Sequence, residues 1–201
     1  MAVGITKPNV LVVEGREEEL FFGAFTEYLA LQNIQIMGIG GKTNLQPNLK
    51  ALTLSPRFTE VISLGLVRDA NADPHAAFQS VCGALQSVEL PTPERPLVSA
   101  GDSPRVTVMI LPEEAAPGML EDLCLSALVQ DPAMTCVEQY FQCLQQQGSI
   151  LQNPSKAKVQ AFLASRREAG KRLGEAAQAG YLPWDHKAFD RVRAFLRQVA
   201  S

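Results

Sequence analysis

Asn9-Val-Leu-Val-Val-Glu-Gly15 is a short aliphatic run that stops abruptly at a glutamate and a glycine. Its β-branched residues show no polar alternation, which is typical of a strand buried on both faces. Phe21 and Phe25 then recur at the spacing of a helix, and acidic residues precede them, as suits the positive end of a helix. A buried strand followed directly by a helix is the first half of a unit that builds parallel sheets.

The same succession continues along the chain. Ile34–Ile39 and Val61–Val67 predict two more strands, separated by a weak helical pattern over residues 45–54. Asp73 as N-cap and Pro74 at the first helical position predict the start of the next helix. This alternation of strands and helices indicates a parallel sheet with right-handed crossovers.

The second half of the chain has a different pattern. Leu97–Ala100 and Arg105–Leu111, with a turn between them, predict a hairpin at the edge of the sheet. After Pro112 the pattern is helical throughout. We therefore predict an α/β fold. Residues 1–130 would form a mostly parallel sheet flanked by helices, and residues 131–201 a helical extension.

Composition excludes several classes of protein. Hydrophobic residues make up 46% of the chain and charged residues 19%, which is ordinary for a globular protein and unlike a disordered one. The aliphatic runs are far shorter than the ~20 residues of a membrane span, and no secretory signal begins the sequence. Four cysteines without a C-x-x-C pair, together with two histidines, exclude a zinc site of the usual spacing. We expect a cytoplasmic protein with no membrane partner.

The charge is distributed unevenly. Residues 154–201 carry ten Lys or Arg and four Asp or Glu, whereas residues 1–153 carry eight and seventeen, which together give the net charge of −3. A basic tail on an acidic body has two interpretations. The tail supplies phosphate contacts to nucleic acid, or it docks on the body of its own chain.

Polar side chains follow the first and third predicted strands. Glu14 comes directly after the first strand and Asp69 after the third, with Asn71 and Asp73 beyond it. The carboxyl ends of parallel strands share one edge of a sheet, where ligands of such folds bind. If the segment 69–73 is extended, its alternate side chains point the same way. Their oxygens suit a hard divalent cation such as Mg²⁺ or Mn²⁺.

A phosphate-binding loop of the Walker type is a competing interpretation. Gly41-Lys-Thr43 fits the end of that motif, but the pattern demands a glycine at position 36, where this chain has Ile36 inside a predicted strand. This argues against ATP hydrolysis through such a loop. Gly40, Gly41 and Lys42 nevertheless stay candidates for binding an anion at a strand-to-helix turn.

Three of these segments, in this order and spacing, resemble the Toprim domain shared by topoisomerases, DnaG-type primases and OLD-family nucleases. They are Val12-Val-Glu-Gly15, Gly40-Gly-Lys42 and Val67-Arg-Asp-Ala-Asn-Ala-Asp73. Pro117-Gly-Met-Leu-Glu-Asp122 and Ala176-Ala-Gln-Ala-Gly-Tyr181 further resemble a group of small, stand-alone, uncharacterised Toprim-like proteins.

The resemblance implies a Toprim-like (Rossmann-like) α/β fold and roles for these residues. Glu14 matches the glutamate that acts in acid–base chemistry or metal binding. Asp69 matches the first aspartate of a magnesium-binding D-x-D motif, and Asn71 stands where the second is expected. Asp73, the next residue on the same side of an extended chain, would replace that second aspartate. Glu121 matches a further acidic position. Gly40, Gly41 and Lys42 would bind phosphate.

Two functions are compatible with this pattern. The first is Mg²⁺-dependent phosphoryl transfer on nucleic acid, as in a nuclease, with Glu14 as catalytic residue. The second is a non-catalytic binding or regulatory module with a degenerate metal site, which the neutral Asn71 favours. A phosphate-receiving switch is disfavoured because no lysine follows the fourth strand. An apolar face on the carboxyl-terminal helices is compatible with a homodimer.

Overall fold

The protein contains a four-stranded sheet surrounded by eight α-helices in the part of the chain that the structure describes. The structure is a computed structural model that describes residues 4–41 and 44–201. The strands are β1 (Asn9–Val13), β2 (Ile34–Gly38), β3 (Ser63–Asp69) and β4 (Arg105–Leu111). The helices are α1 (Arg16–Tyr28), α2 (Leu45–Thr53), α3 (Pro74–Gln86), α4 (Leu120–Leu128), α5 (Pro132–Gln146), α6 (Pro154–Ala164), α7 (Leu173–Gln178) and α8 (Asp190–Ala200).

All strand pairs of the sheet are parallel, in the order β2-β1-β3-β4. The predicted α/β fold with a parallel sheet flanked by helices is confirmed. The strands form where the sequence has uninterrupted aliphatic runs, and β1 is buried along its whole length. The third strand begins at Ser63, two residues later than the hydrophobic pattern suggests, because a short 3₁₀ turn at Phe58–Glu60 precedes it.

Two hydrophobic cores lie on opposite faces of the sheet. One contains α1 and the helices from α4 onward, with Phe21, Phe25 and Trp184 among its aromatic residues. The other contains α2 and α3 packed on the alternate residues of the same strands. The molecule therefore has three layers, with the sheet in the middle.

The last helices of the chain belong to the first of these cores. α8 lies so close to the sheet that a Cβ added at Gly65 of β3 would be 2.7 Å from Val199. Its last carbonyl, that of Ala200, accepts a hydrogen bond from Asn9 Nδ2 at 3.3 Å, at the start of β1. The carboxyl-terminal segment thus covers one face of the sheet.

The predicted hairpin at the sheet edge is wrong. Residues 97–100 do not form a strand, and Arg105–Leu111 pairs in parallel with β3. Leu97 has a φ of +62°, which no extended strand accommodates, so the segment touches β4 at separate points. These are a hydrogen bond from Leu97 N to Val108 O and a single antiparallel bridge between Ala100 and Val106.

The predicted start of the helix after β3 is confirmed. Asp73 Oδ1 accepts a hydrogen bond from the backbone N–H of Ala76 at 3.0 Å, and Pro74 occupies the first turn of α3. Across the described part of the chain, no helix combines the length and the apolar composition that crossing a membrane requires.

Candidate functional site

The candidate site lies where the chain leaves β1 and β3, which are neighbours in the sheet. After β1 the chain turns to α1 on one face, and after β3 it turns to α3 on the other. Such a point of divergence leaves a crevice at the carboxyl ends of the strands, and open α/β sheets bind ligands there. Glu14 and Asp69 both emerge at this edge.

Asp69 is the most perturbed carboxyl group of the site. Its Oδ1 accepts a hydrogen bond from the backbone N–H of Leu120, at the first turn of α4, with a distance of 3.0 Å. Burial raises the pKa of Asp69 to about 8, and the negative charges of Glu14, Glu18 and Glu121 contribute to the same shift. The fold therefore holds Asp69 where a negative charge is disfavoured unless a cation accompanies it.

Glu14 is held from two sides. Its Oε1 lies 3.1 Å from Nε of Arg68 in a mostly buried ion pair, in which the side chains are 18% and 10% exposed. Its backbone carbonyl accepts a hydrogen bond from the N–H of Gly41 at 2.7 Å. These contacts fix both the loop after β1 and the carboxylate that it carries.

Two further carboxylates complete an acidic cluster of Glu14, Glu18, Asp69 and Glu121. Burial raises the pKa of Glu18, and the charges of Glu14 and Glu121 act in the same direction. Burial also raises the pKa of Glu121, although Lys156, whose Nζ lies 3.8 Å from Glu121 Oε1, opposes this shift. The elements that supply the cluster are the loop after β1, the first turn of α1, the end of β3 and the first turn of α4.

Asn71 and Asp73 do not line up with Asp69 as expected. The segment is not extended, because Asn71 has a φ of +53° and its side-chain amide donates to the carbonyl of Asp69 at 3.2 Å. Asn71 also forms an antiparallel bridge with Gly118, with two backbone hydrogen bonds of 2.7 Å. The carboxylate of Asp73 caps α3. The bridge to Gly118 pulls the loop toward the start of α4 and so breaks the alternation.

The glycine pair after β2 forms a tight turn beside Glu14. Gly40 and Gly41 have φ values of +69° and +108°, which favour glycine. The N–H of Gly41 is already bonded to the carbonyl of Glu14, so this amide is committed to the protein itself. Lys42 lies outside the residues that the structure describes.

The side chains of the acidic cluster are of the chemical type that a divalent cation prefers. Carboxylate oxygens are the ligands of a hard cation, and the negative charges of Glu14, Glu18 and Glu121 act on the buried Asp69. Within residues 4–41 and 44–201, no group of three or more His, Cys, Asp or Glu side chains could hold a metal ion. Mg²⁺ usually binds through one or two carboxylates and keeps several waters, so this donor set fits Mg²⁺ better than an ion that needs an all-protein cage.

Sequence reasoning missed Glu18, Arg68 and Lys156. Arg68 could have been noticed as a cation at the end of an aliphatic strand, directly before Asp69. Glu18 occupies the third position of α1, where an acidic residue was assigned to the helix dipole alone. Nothing in the local sequence signals Lys156, which reaches the site because α6 packs against α4.

The basic tail makes several contacts with the acidic body. Four cations of residues 154–201 form ion pairs with carboxylates of residues 1–153. The pairs are Lys156–Glu121 at 3.8 Å, Lys158–Glu138 at 2.7 Å, Arg166–Asp131 at 3.1 Å and Arg191–Glu114 at 2.7 Å. Docking of the tail on its own body thus accounts for part of the charge asymmetry.

Residues 8–201 match a protein family described as "Protein of unknown function (DUF3226)". The chain belongs to this family. No curated protein matches the sequence. The DUF3226 match begins just before β1 and therefore includes the sheet, the acidic cluster and the carboxyl-terminal helices.

Solved structures resemble this DUF3226 chain over almost its whole length. The C-terminal region of the OLD protein of Xanthomonas campestris pv. campestris has a TM-score of 0.52 at 17% identity, with 98% of this chain and 96% of that chain covered. The C-terminal region of the Burkholderia pseudomallei OLD protein has a TM-score of 0.51 at 15% identity, with 98% and 100% covered. The hypothetical protein PH0156 from Pyrococcus horikoshii OT3 has a TM-score of 0.57 at 15% identity, with 96% and 94% covered. At these identities the likeness concerns the fold.

Proposed function

We propose that this protein is a Toprim-like, Mg²⁺-dependent enzyme that transfers phosphoryl groups on nucleic acid, as a nuclease does. The observation that carries the proposal is the environment of Asp69. A buried carboxyl group lies among the charges of three others at the point where the chain diverges from the sheet. Strongly perturbed carboxyl groups in a crevice are typical of functional sites. The fold of the OLD C-terminal regions supports the same assignment.

Asp69 and Glu14 would hold the cation, with Glu18 and Glu121 close enough for their charges to act on the same site. Bound Mg²⁺ would polarise a phosphodiester and supply an activated water. Asp69 keeps its orientation through the N–H of Leu120.

Glu14 would accept the proton of the attacking water, or share in binding the cation. The ion pair with Arg68 fixes its carboxylate at the rim, because both side chains are largely buried. Lys156 stands beside Glu121 at 3.8 Å and offers a positive charge to a phosphate oxygen near the cluster. These residues position a substrate phosphate from both walls of the crevice.

The test compares cleavage of plasmid DNA, single-stranded DNA and RNA by the wild-type protein with Mg²⁺ or Mn²⁺. We expect cleavage by the wild-type protein. For Glu14→Gln and for Asp69→Asn we expect the rate of cleavage to fall by about 100-fold or more, since loss of a general base or metal ligand has effects of this size. Removal of the metal with EDTA should abolish the reaction.

Asp102→Asn is the matched control. Asp102 is exposed in the loop before β4, at the amino-terminal ends of the strands and so away from the site, and its loss should leave cleavage unchanged. Equal cleavage by wild-type protein, Glu14→Gln and Asp69→Asn, or no cleavage of any substrate by the wild-type protein, would contradict the proposal.

A second function is favoured by the residues after Asp69. Asn71 brings no charge where the Toprim resemblance places an aspartate, and the carboxylate of Asp73 is engaged at the cap of α3. A degenerate site of this kind suits a module that binds nucleic acid or a partner without turnover.

Calorimetric titration with Mn²⁺ separates the two functions. The enzyme requires a binding isotherm that Asp69→Asn abolishes or weakens strongly, since one of its few carboxylate ligands is lost. A missing isotherm, or one that Asp69→Asn leaves unchanged, would favour the non-catalytic module.

A further inference from the structure

A cavity adjoins the acidic cluster at Glu121. Its volume is about 250 Å³, and it lies between the first turns of α1, α4, α6 and α7. Its polar and charged lining residues are Glu17, Glu121, Lys156, Gln160 and Arg172. Glu121 belongs to both places, because its charge also raises the pKa of Asp69.

Most charged groups of this cavity already have partners. Glu17 Oε2 accepts the backbone N–H of Gly174 at 2.8 Å, and Glu121 pairs with Lys156. Arg172 differs, since it is exposed and has no carboxylate within 4.0 Å among residues 4–41 and 44–201. Its guanidinium is therefore available to a ligand.

The structure also separates Arg172 from the other cations of the tail. Four arginines and lysines of residues 166–193 are engaged in ion pairs, namely Arg166–Asp131, Lys171–Glu168, Arg191–Glu114 and Arg193–Asp190. Arg167 and Lys187 are exposed, but neither lines the cavity. Arg197 is exposed, but it lies near the end of α8 that contacts Asn9, at the opposite edge of the sheet. Arg172 instead shares a cavity with a carboxylate of the cluster.

We propose that Arg172 binds a backbone phosphate of a nucleic-acid strand, next to the phosphate that the acidic cluster holds. This inference rests on the proposed function, because it assumes that the cluster receives a phosphate. The planar guanidinium fork matches two phosphate oxygens, which makes arginine the usual choice for such contacts. The substrate class that follows is a polynucleotide rather than a mononucleotide.

The charge of the cavity explains why a strand is required. Lys156 and Arg172 together balance Glu17 and Glu121, so the lining carries no net charge and has little attraction for free inorganic phosphate. A phosphate in a strand is different, because its neighbour on the same strand is bound at the cluster and delivers it at high effective concentration.

The experiment measures binding of a fluorescein-labelled single-stranded oligonucleotide by anisotropy, with Ca²⁺ in place of Mg²⁺ over a series of salt concentrations. Arg172→Gln should weaken binding about five- to tenfold and lower the slope of log K against log salt by about 0.7, the value for one lost phosphate contact. Arg197→Gln, the matched control, should change neither. Arg172→Lys should recover part of the affinity, because it keeps the charge and loses the fork.

Equal affinities and slopes for the wild-type protein and Arg172→Gln would overturn the inference, as would an equal loss in Arg197→Gln. A wild-type protein that does not bind the oligonucleotide would overturn it too. Binding that depends on Arg172 without cleavage under any metal would leave the phosphate contact in place and refute the enzyme.

Discussion

At the scale of single residues, the main feature is Asp69, a carboxyl group whose surroundings disfavour its negative charge. Asp69 is buried, and three carboxylates act on it, while the backbone N–H of Leu120 stabilises its ionised form. Such an arrangement destabilises the metal-free protein and is retained where the charge serves binding or catalysis.

Asp69→Asn should stabilise the metal-free protein in a pH-dependent way. The pKa in the folded protein, about 8, lies above the ordinary value of 3.8, so the folded protein binds more protons than the unfolded chain between these values. The free energy of unfolding attributable to Asp69 therefore falls as the pH rises through this window. We expect the variant to exceed the wild-type protein by about 1–3 kcal/mol above pH 8, and by less near about pH 5.

Urea denaturation at both pH values measures this difference. Asparagine keeps the oxygen that accepts the N–H of Leu120, so the comparison isolates the charge. Asp102→Asn, in an exposed loop, should show no such pH dependence. Parallel stability curves for the wild-type protein and Asp69→Asn would refute the environment assigned to Asp69.

Glu14 and Asp69 were predictable from the sequence because each directly follows a strand of uninterrupted aliphatic residues. The alignment of Asn71 and Asp73 was predicted wrongly, since the bridge from Asn71 to Gly118 forms between residues far apart in the sequence. No local pattern announces that bridge. Asp73, by contrast, already carried the N-cap signal that explains where its carboxylate goes.

At the scale of elements, α1 connects the site to the rest of the fold through three consecutive glutamates. Glu17 accepts the N–H of Gly174 in α7, Glu18 belongs to the acidic cluster, and Glu19 accepts the N–H of Gly38 at the end of β2. The sequence assigned all three to the helix dipole, because the elements that they contact are distant along the chain. One helical turn thus fixes a second helix, a strand end and a wall of the crevice.

Gly174→Ala should separate α7 from α1. A Cβ at this position would lie 2.7 Å from the backbone carbonyl oxygen of Glu17 and from Cβ of Leu20, and a helix backbone cannot move aside locally. We expect a loss of about 1–3 kcal/mol in the free energy of unfolding, as for other overpacked contacts. Gly170→Ala is the control, since a Cβ there meets nothing within 4 Å. Equal unfolding midpoints for the two variants in urea would contradict this packing.

At the scale of the whole molecule, other segments of the chain contact both edge strands of the sheet. At the β4 edge, residues 97–100 lie alongside and bond at Val106 and Val108. At the β2 edge, Lys7 Nζ donates to the carbonyl of Ile34 at 3.1 Å, and Glu19 accepts from Gly38. Uncovered edge strands associate with other chains, and natural proteins protect them in such ways.

The double variant Lys7→Gln and Glu19→Ala should associate with itself more than the wild-type protein. The edge strand β2 (Ile34–Gly38) contains no charged residue. The double variant removes the two charged side chains that contact its ends, and such charges protect edge strands from association. Sedimentation velocity at several concentrations measures the effect, and the double variant Lys171→Gln and Glu168→Ala, which removes an ion pair in the loop between α6 and α7, is the control. Identical sedimentation of the two double variants would contradict the protective role.

The placement of the tail illustrates what the sequence leaves open at this scale. Its helices were predictable from their periodicity, but their position was not, because contacts such as that of Asn9 with Ala200 join opposite ends of the chain. Charge counting could not decide between docking and nucleic-acid binding. The structure shows that the cations of the tail differ in their surroundings. Arg166 and Arg191 form ion pairs with the body, whereas Arg172 is exposed beside the site.

After β1 and β3 the chain turns to opposite faces of the sheet, and this affects how substitutions in the interior act on the crevice. Glu18 and Glu121 stand on helices anchored in one hydrophobic core, while the chain beyond Asp69 runs into α3 and the other. A substitution that loosens either layer therefore acts first on one side of the crevice, and it reaches the other side through the hydrogen bonds of Asp69 and Asn71 to the segment at the start of α4. Substitutions in either hydrophobic core should accordingly alter the width of the crevice before they alter which side chains line it.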